Sequence, residues 1–197
     1  MKSARRGEYA KTARRREEIL DAAFDVFSKA GFASASMSEI AKRVGLTLPG
    51  LTHHFSTKEA LLSAVLERRD LDANTHLEGR EGLDLFRGLI EVAQRDEESP
   101  ALTQLFAILA AEATDRDHPA HAYFRDRYKF VLSNVERSFE IAREQGHLRD
   151  AVDPSDAARA YVALSDGFQL QKLYSDGAVS QAGLIRRTLS AFITVEL

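Results

Sequence analysis

Apolar residues recur along the chain at intervals of three and four positions, and no stretch alternates strictly between apolar and polar residues over six positions. This is the spacing of helices that bury one face, so the pattern predicts an all-α fold. Gly, Pro and polar runs interrupt the pattern and mark helix ends. In the second half of the chain they predict helices at about 83 to 96, 100 to 113, 119 to 145, 154 to 175 and 180 to 194.

The first helix carries an apolar face that begins near Ile19, and Gly31 supplies its C-terminal stop. Ser36 and Glu39 have the spacing of a capping box, in which each side chain bonds the other's backbone N–H. A second helix of about two turns therefore starts at this point and ends at Gly45.

A third short helix is predicted from about Leu48 to Phe55. The Thr47 hydroxyl can cap it, and Pro49 falls in its first turn, where a missing N–H is harmless. Leu51 and Phe55 are four residues apart and form its inward pair. The residues left pointing outward are Leu48, Pro49, Thr52 and His53.

Ser56 and Glu59 form a second candidate capping box and predict a fourth helix, at about 57 to 78, that links two bodies. Two short capped helices joined by a tight turn, the second with an exposed face, are the layout of a helix-turn-helix, whose second helix fits a major groove about 12 Å wide. Spacing alone leaves a second interpretation open, because helical bundles also contain tight turns between helices.

Charge divides the 197-residue chain into two regions. Residues 1 to 58 hold 11 Lys and Arg against 6 Asp and Glu, a net charge of +5, whereas residues 59 to 197 carry −8. A basic N-terminal third favours an anionic partner at that end. The basic run from Lys2 to Arg16 is interpreted as a flexible arm that contacts DNA, the alternative being a solvated tail.

The chain contains no Cys, which excludes disulfides, thiolate metal sites and cysteine nucleophiles. Its longest apolar stretch, Leu105 to Ala111, is far shorter than the roughly 20 residues of a transmembrane helix. No apolar block of signal-peptide length follows the first basic residues. We therefore expect a cytoplasmic protein with no membrane partner.

The segment from Met37 to Leu62, MSEIAKRVGLTLPGLTHHFSTKEALL, closely resembles the DNA-binding segment of the TetR family of bacterial transcriptional regulators. The preceding RRREEILDAAFDVFSKAGF, from Arg14 to Phe32, resembles the first helix of that family. The resemblance implies a DNA-binding domain over residues 1–58 and an effector-binding and dimerisation domain over 59–197.

The resemblance also implies which residues contact DNA. His54 and Lys58 occupy positions that usually touch phosphate, although an ordinary solvated lysine is an alternative for Lys58. The family commonly has Tyr at the position of Thr52, and a basic or polar residue and Gly at those of Leu48 and Pro49. We therefore expect contact with thymine methyl groups and shape readout rather than Arg-to-guanine bonding. The implied DNA-contacting set is Ser36, Ser38, Thr47, Leu48, Pro49, Thr52, His53, His54 and Lys58.

In the C-terminal two-thirds, a stripe with small residues predicts close packing of two helices from each subunit, as in a four-helix bundle. The alternative is that the same residues form an intramolecular core. The predicted dimer interface consists of Ala157, Ala160, Leu164, Gly167, Leu170, Leu184, Ile185, Leu189 and Phe192.

Residues of the middle helices are candidates to line an effector cavity, with Arg127 and Asn134 as polar anchors. Aromatic residues at helical spacing are also simply core in many proteins. The candidates are Phe86, Phe106, Leu109, Phe124, Tyr128, Val131 and Phe168.

His118 and His121, near Glu112, are the only metal-like cluster in the sequence, and they lack a clear third ligand. We expect no metal, no cofactor and no enzymatic activity. The prediction is a homodimeric regulator, a repressor, that binds an inverted-repeat operator on double-stranded DNA and is released by a small-molecule effector. Two alternatives stay open: a small-molecule-binding helical protein with a vestigial helix-turn-helix, and a metal-dependent enzyme that uses the two histidines.

Overall fold

The computed structural model describes residues 2–175, 178 and 180–197, with the side chains of 2–10 and 72 left aside. Within these residues the chain forms helices and no strand, apart from a single antiparallel bridge between Leu148 and Ile193. The helices are α1 (Lys2–Ser34), α2 (Met37–Arg43), α3 (Leu48–His54), α4 (Lys58–Leu77), α5 (Gly82–Glu97), α6 (Pro100–Glu112), α7 (His121–Glu144), α8 (Pro154–Tyr174) and α9 (Gln181–Phe192). The all-α prediction is confirmed, and from α2 onward each helix lies within a few residues of its predicted position.

The first helix differs from the prediction at its N-terminus. Its backbone is helical from Lys2, so the run to Arg16, which we expected as a flexible arm, continues α1. Ala, Arg, Lys and Glu dominate that run, and all four residue types favour helix. The side chains of residues 2–10 lie outside the described part of the chain, so the arm's predicted DNA contacts remain a prediction there.

The helix starts confirm one predicted cap and correct two. The Thr47 hydroxyl accepts the Gly50 N–H at 3.2 Å, as predicted. Ser36 is the N-cap of α2, but its side chain makes no capping bond. Thr57, rather than Ser56, caps α4 and accepts the Ala60 N–H at 3.1 Å. Where two hydroxyl residues are adjacent, the backbone path decides which of them reaches the free N–H groups.

Two hydrophobic clusters form the core. The first contains the inner faces of α1 to α3 and the first half of α4, together with residues from α6 and α7 such as Leu105 and Phe124. The second lies among α5, α7, α8 and α9 and includes Phe86 and Phe139, whose ring centroids are 4.6 Å apart. Helix α1 therefore packs directly on α6.

None of the helices in the described residues combines the length and apolar character needed to cross a bilayer.

Candidate functional site

The predicted outward face of α3 is exposed in the structure. Leu51 is fully buried and Phe55 is 3% exposed, so this pair anchors the helix in the N-terminal hydrophobic cluster. On the opposite side Leu48 is 43% exposed. The other exposed members of the predicted DNA-contacting set are Ser36, Ser38, Thr47, Pro49, Thr52 and His53, and His54 is half-buried.

The exposed α3 face offers few hydrogen-bond donors. The Thr52 hydroxyl donates to the Pro49 carbonyl oxygen at 3.2 Å, so its proton is used within the helix. Leu48 and Pro49 contribute apolar surface beside it. This arrangement suits contact with thymine methyl groups and with the shape of the groove.

The two adjacent histidines lie in different environments, as a helix requires. Their ring centroids are 5.6 Å apart, and His53 is exposed whereas His54 is half-buried. Burial, followed by the fields of His53, Arg15 and Arg16, lowers the pKa of His54 below its usual value. A neutral His54 ring can donate one hydrogen bond and accept another.

Three basic side chains fix the ends of the N-terminal helices, a role that sequence reasoning missed. Arg15 donates to the Val44 carbonyl oxygen at the end of α2, at 3.1 Å. Arg16 donates to the carbonyl oxygen of His54 at the end of α3, at 3.3 Å, and its guanidinium lies 4.1 Å from the centroid of the Phe55 ring. A cation is favourable at a helix C-terminus, where unpaired carbonyls concentrate negative charge.

Lys58 makes the third such contact, so the structure gives this predicted phosphate-binding residue partners within the protein. Its ammonium group donates to the carbonyl oxygens of Phe32 at 2.8 Å, Ala33 at 3.3 Å and Ala35 at 3.1 Å. It also lies 4.3 Å from the centroid of the Phe32 ring. An ammonium group has three protons, so these contacts satisfy it and leave none for a phosphate.

We therefore expect Lys58→Met to lower the free energy of unfolding by about 2 kcal/mol, because charge-assisted hydrogen bonds are lost. The salt dependence of DNA binding should stay unchanged. Urea unfolding and DNA titrations at several salt concentrations measure the two effects. Lys29→Met removes an exposed lysine of α1 and should leave stability unchanged. If Lys58→Met instead lowers the salt slope of DNA binding by about one and leaves stability unchanged, Lys58 contacts phosphate.

A cavity of about 860 Å³ lies among the C-terminal helices. Of the predicted effector-binding residues, Phe106, Phe124, Tyr128 and Val131 line it, and so do Arg127 and Asn134. The prediction is wrong for three others. Phe86 and Leu109 are fully buried and Phe168 is 9% exposed, and all three pack within the core.

Two charged residues that the prediction did not include, Arg69 and Asp96, border the same cavity. The Arg69 guanidinium binds Asp96 at 3.2 Å, and Arg127 binds Asp70 at 2.6 Å. Both guanidinium groups lie over the Phe106 ring, at 4.6 Å and 5.2 Å from its centroid. Burial raises the pKa of Asp96 despite its bond to Arg69. No local pattern predicts this network, because its members come from three different helices.

A second polar pair lies across the cavity wall. The Tyr128 hydroxyl donates to Asp166 at 2.8 Å, which joins α7 to α8. Burial is the main cause that raises the pKa of Asp166, and burial together with Asp166 raises the pKa of Tyr128 to about 12.

A hydrogen bond joins α1 to α6, which is one of the helices that line the cavity. The carboxylate of Glu112, at the end of α6, accepts the Phe32 N–H at 2.8 Å. Gly31 precedes this contact with φ 71° and ψ −177°, a conformation that essentially only glycine adopts. Since Ala107 and Ala110 of α6 line the cavity, one helix touches both regions.

The two histidines considered as metal ligands have other partners. His118 Nδ1 accepts the Ala120 N–H at 3.1 Å, and His121 Nδ1 lies 2.8 Å from the Ala113 carbonyl oxygen. Across the described residues, no group of three His, Asp or Glu side chains is arranged to hold a metal ion.

The predicted dimer interface divides into a buried part and an open part. Ala157 and Ile185 are each 2% exposed and Leu189 is fully buried, so these three belong to the intramolecular core and their assignment to the interface is corrected. Leu164 and Leu170 are exposed. Ala160, Gly167, Leu184 and Phe192 are half-buried.

Comparisons with known proteins address the fold and both functional regions. Residues 19–65 match the profile of bacterial regulatory proteins of the tetR family. Residues 84–197, more than half of the chain, match the profile of the C-terminal part of BetI-type transcriptional repressors. Because the first match includes the helix-turn-helix, a ligand-binding protein with a vestigial DNA-binding segment is not favoured.

Individual relatives agree with these profiles. The transcriptional repressor KstR2 of Rhodococcus jostii is 30% identical over 120 residues, which are 61% of this chain and 53% of that protein, so the match spans about half of KstR2. The transcriptional regulator UidR of Escherichia coli is 27% identical over 154 residues, 77% of this chain and 78% of that protein.

A solved structure agrees over most of the chain. The complex of SmeT with triclosan has a TM-score of 0.75 and 25% identity, with 92% of each chain covered. SmeT is the repressor of a Stenotrophomonas maltophilia multidrug efflux pump. This chain therefore belongs to the TetR family of bacterial regulatory proteins and is a TetR-like transcriptional regulator.

Proposed function

We propose that the protein is a homodimeric repressor that binds an inverted-repeat operator through the α3 helices of its two subunits. A small molecule that enters the cavity releases it from DNA. The observation that carries the DNA-binding part is the exposed face of α3 above the buried pair Leu51 and Phe55. Residues 1–58 supply the DNA-binding domain and residues 59–197 the effector-binding and dimerisation domain. As a regulator of transcription, the protein acts in the cytoplasm, where bacterial DNA lies.

The outer side of α8 supports the dimer. Leu164 is 42% exposed, Leu170 is 48% exposed and Tyr174 is 89% exposed. Gly167 lies among them, and a Cβ built on it would meet no atom within 4 Å. Exposed apolar residues beside an open glycine permit close approach of a second helix.

Gly167→Leu should therefore shift the protein from dimer toward monomer and leave the fold of each subunit intact. A Cβ at this position meets no described atom of its own chain within 4 Å, whereas a leucine side chain would meet a partner helix. Sedimentation over a range of concentrations measures the dimer, and circular dichroism checks the helices. Ala122→Leu adds a similar side chain at an exposed position of α7 and should sediment as the unmodified protein does. An unchanged dimer in Gly167→Leu places the interface elsewhere.

Two helices link the cavity to the N-terminal helices that carry α3. The first half of α4 packs in the N-terminal core, and its second half lines the cavity through residues such as Arg69 and Asn74. Helix α6 lines the cavity and holds Phe32 through Glu112. A ligand that favours another arrangement of these helices changes the separation of the two α3 helices in the dimer and lowers the affinity for DNA.

Selection from a random duplex library tests the proposed function. The purified protein, without added ligand, is incubated with the library at moderate salt, so that nonspecific binding to phosphate is weak. Recovery of an inverted repeat is the expected result. Recovery of no common sequence from protein that has been unfolded and refolded to remove bound ligands would contradict sequence-specific binding.

A further inference from the structure

We propose that the cavity takes an organic cation with an apolar body and that Asp166 is the residue that recognises its positive charge. The proposal rests on the function proposed above and names the class of effector. The Asp166 carboxylate borders the cavity and lacks a cationic partner among the described side chains.

Asp166 differs from two other half-buried acidic residues near the cavity. Asp70 and Asp96 each bind a guanidinium group directly, at 2.6 Å and 3.2 Å. Among the described side chains, Asp166 has no ion pair, and its hydrogen-bond donor is the neutral hydroxyl of Tyr128 at 2.8 Å. A partly buried carboxylate without a counter-charge is unfavourable, so a ligand that brings a positive charge gains binding energy there.

The nearby guanidinium does not fill this role. Arg127 lines the same cavity, and its field favours the charged form of Asp166. Its Nη1 nevertheless donates to Asp70 at 2.6 Å, and the group lies over Phe106. An anionic ligand would compete with Asp70 for Arg127, whereas a cation meets Asp166 without competing with an ion pair.

The remaining lining supports an organic cation rather than a metal ion. Aromatic rings from Phe124, Tyr128 and Tyr161 border the cavity, and the faces of such rings attract organic cations. Leu71 and Phe130, which are 66% and 57% exposed, also line it and give it an apolar entrance. A volume of about 860 Å³ is in the range of pockets for drug-sized molecules.

Isothermal titration calorimetry with three matched compounds tests the proposal. The first is 4-phenylbutyltrimethylammonium, the second its neutral analogue with carbon in place of nitrogen, and the third 5-phenylpentanoate, an anion. The cation should bind at least about tenfold more tightly than the neutral analogue, and the anion should bind most weakly. Equal binding of the cation and the neutral analogue, or binding of none of the three, overturns the proposal.

Two variants test whether Asp166 causes the preference for the cation. Asp166→Asn keeps the shape and an acceptor for Tyr128 but removes the charge, so it should lose the preference for the cation and bind the neutral analogue as before. Asp126→Asn makes the same change of charge at an exposed residue of α7 and should keep the preference. A preference retained in Asp166→Asn overturns the assignment. Because no DNA is present, these results are independent of the duplex selection.

Discussion

Thr52→Glu should abolish sequence-specific DNA binding, with an affinity for the selected duplex lower by about 100-fold or more. Thr52 is exposed at the centre of the α3 face. A carboxylate at this position would meet the phosphates and acceptor atoms of a major groove, and juxtaposed like charges at an interface are unfavourable by several kcal/mol. Fluorescence anisotropy with the labelled duplex measures the affinity.

Thr114→Glu is the matched control. Thr114 is also exposed, and its hydroxyl donates to the carbonyl oxygen three residues earlier, as that of Thr52 does. It follows α6 and lies outside the proposed DNA-binding face. The affinity of the Thr114→Glu variant for the duplex should stay within about threefold of that of the unmodified protein, because salt screens a distant surface charge. Similar losses in both variants would mean that net charge, rather than contact by α3, explains the effect.

Gly31→Ala should lower the free energy of unfolding by about 3 kcal/mol, the sum of backbone strain and a lost hydrogen bond to a carboxylate. At φ 71° and ψ −177° an alanine is strained, and its Cβ would collide with the carboxylate of Glu112. Because that side chain is flexible, it moves aside and releases the Phe32 N–H that it holds at 2.8 Å. Urea unfolding measures the change.

Gly45→Ala separates the two causes. Gly45 also has a positive φ, 67°, but a Cβ there would meet no atom within 4 Å. Gly45→Ala should lower the free energy of unfolding by about 1 kcal/mol through backbone strain alone. Equal losses in the two variants would show that the contact between Glu112 and Phe32 contributes nothing to the joint between α1 and α6.

The short helices near the N-terminus could be predicted from the sequence because local rules determine them. Leu51 and Phe55 are four residues apart and are buried together, and Thr47 caps its own helix. Lys58 could not be assigned in this way. Its partners lie 23 to 26 residues earlier in the chain, so no local spacing distinguishes an inward lysine from one that binds phosphate.

Tertiary packing likewise decides which residues of the C-terminal helices are buried. Ala157 and Leu164 are seven residues apart on one stripe of α8, yet the first is 2% exposed and the second 42%. The helical period assigns both to one face but does not say where along that face neighbouring helices lie. For the same reason periodicity did not distinguish Phe124, which lines the cavity, from Phe86, which is core.

In the proposed complex, one dimer reads two half-sites at once through its two α3 helices. Inserting five base pairs between the half-sites of the selected duplex and measuring the affinity tests this arrangement. Five base pairs turn one half-site by about half a helical turn, so that a dimer can no longer reach both. We predict a loss of about 100-fold or more, and no loss when five spacer base pairs are replaced at constant length. An affinity unchanged by the insertion would contradict the account, because each subunit would then bind DNA on its own.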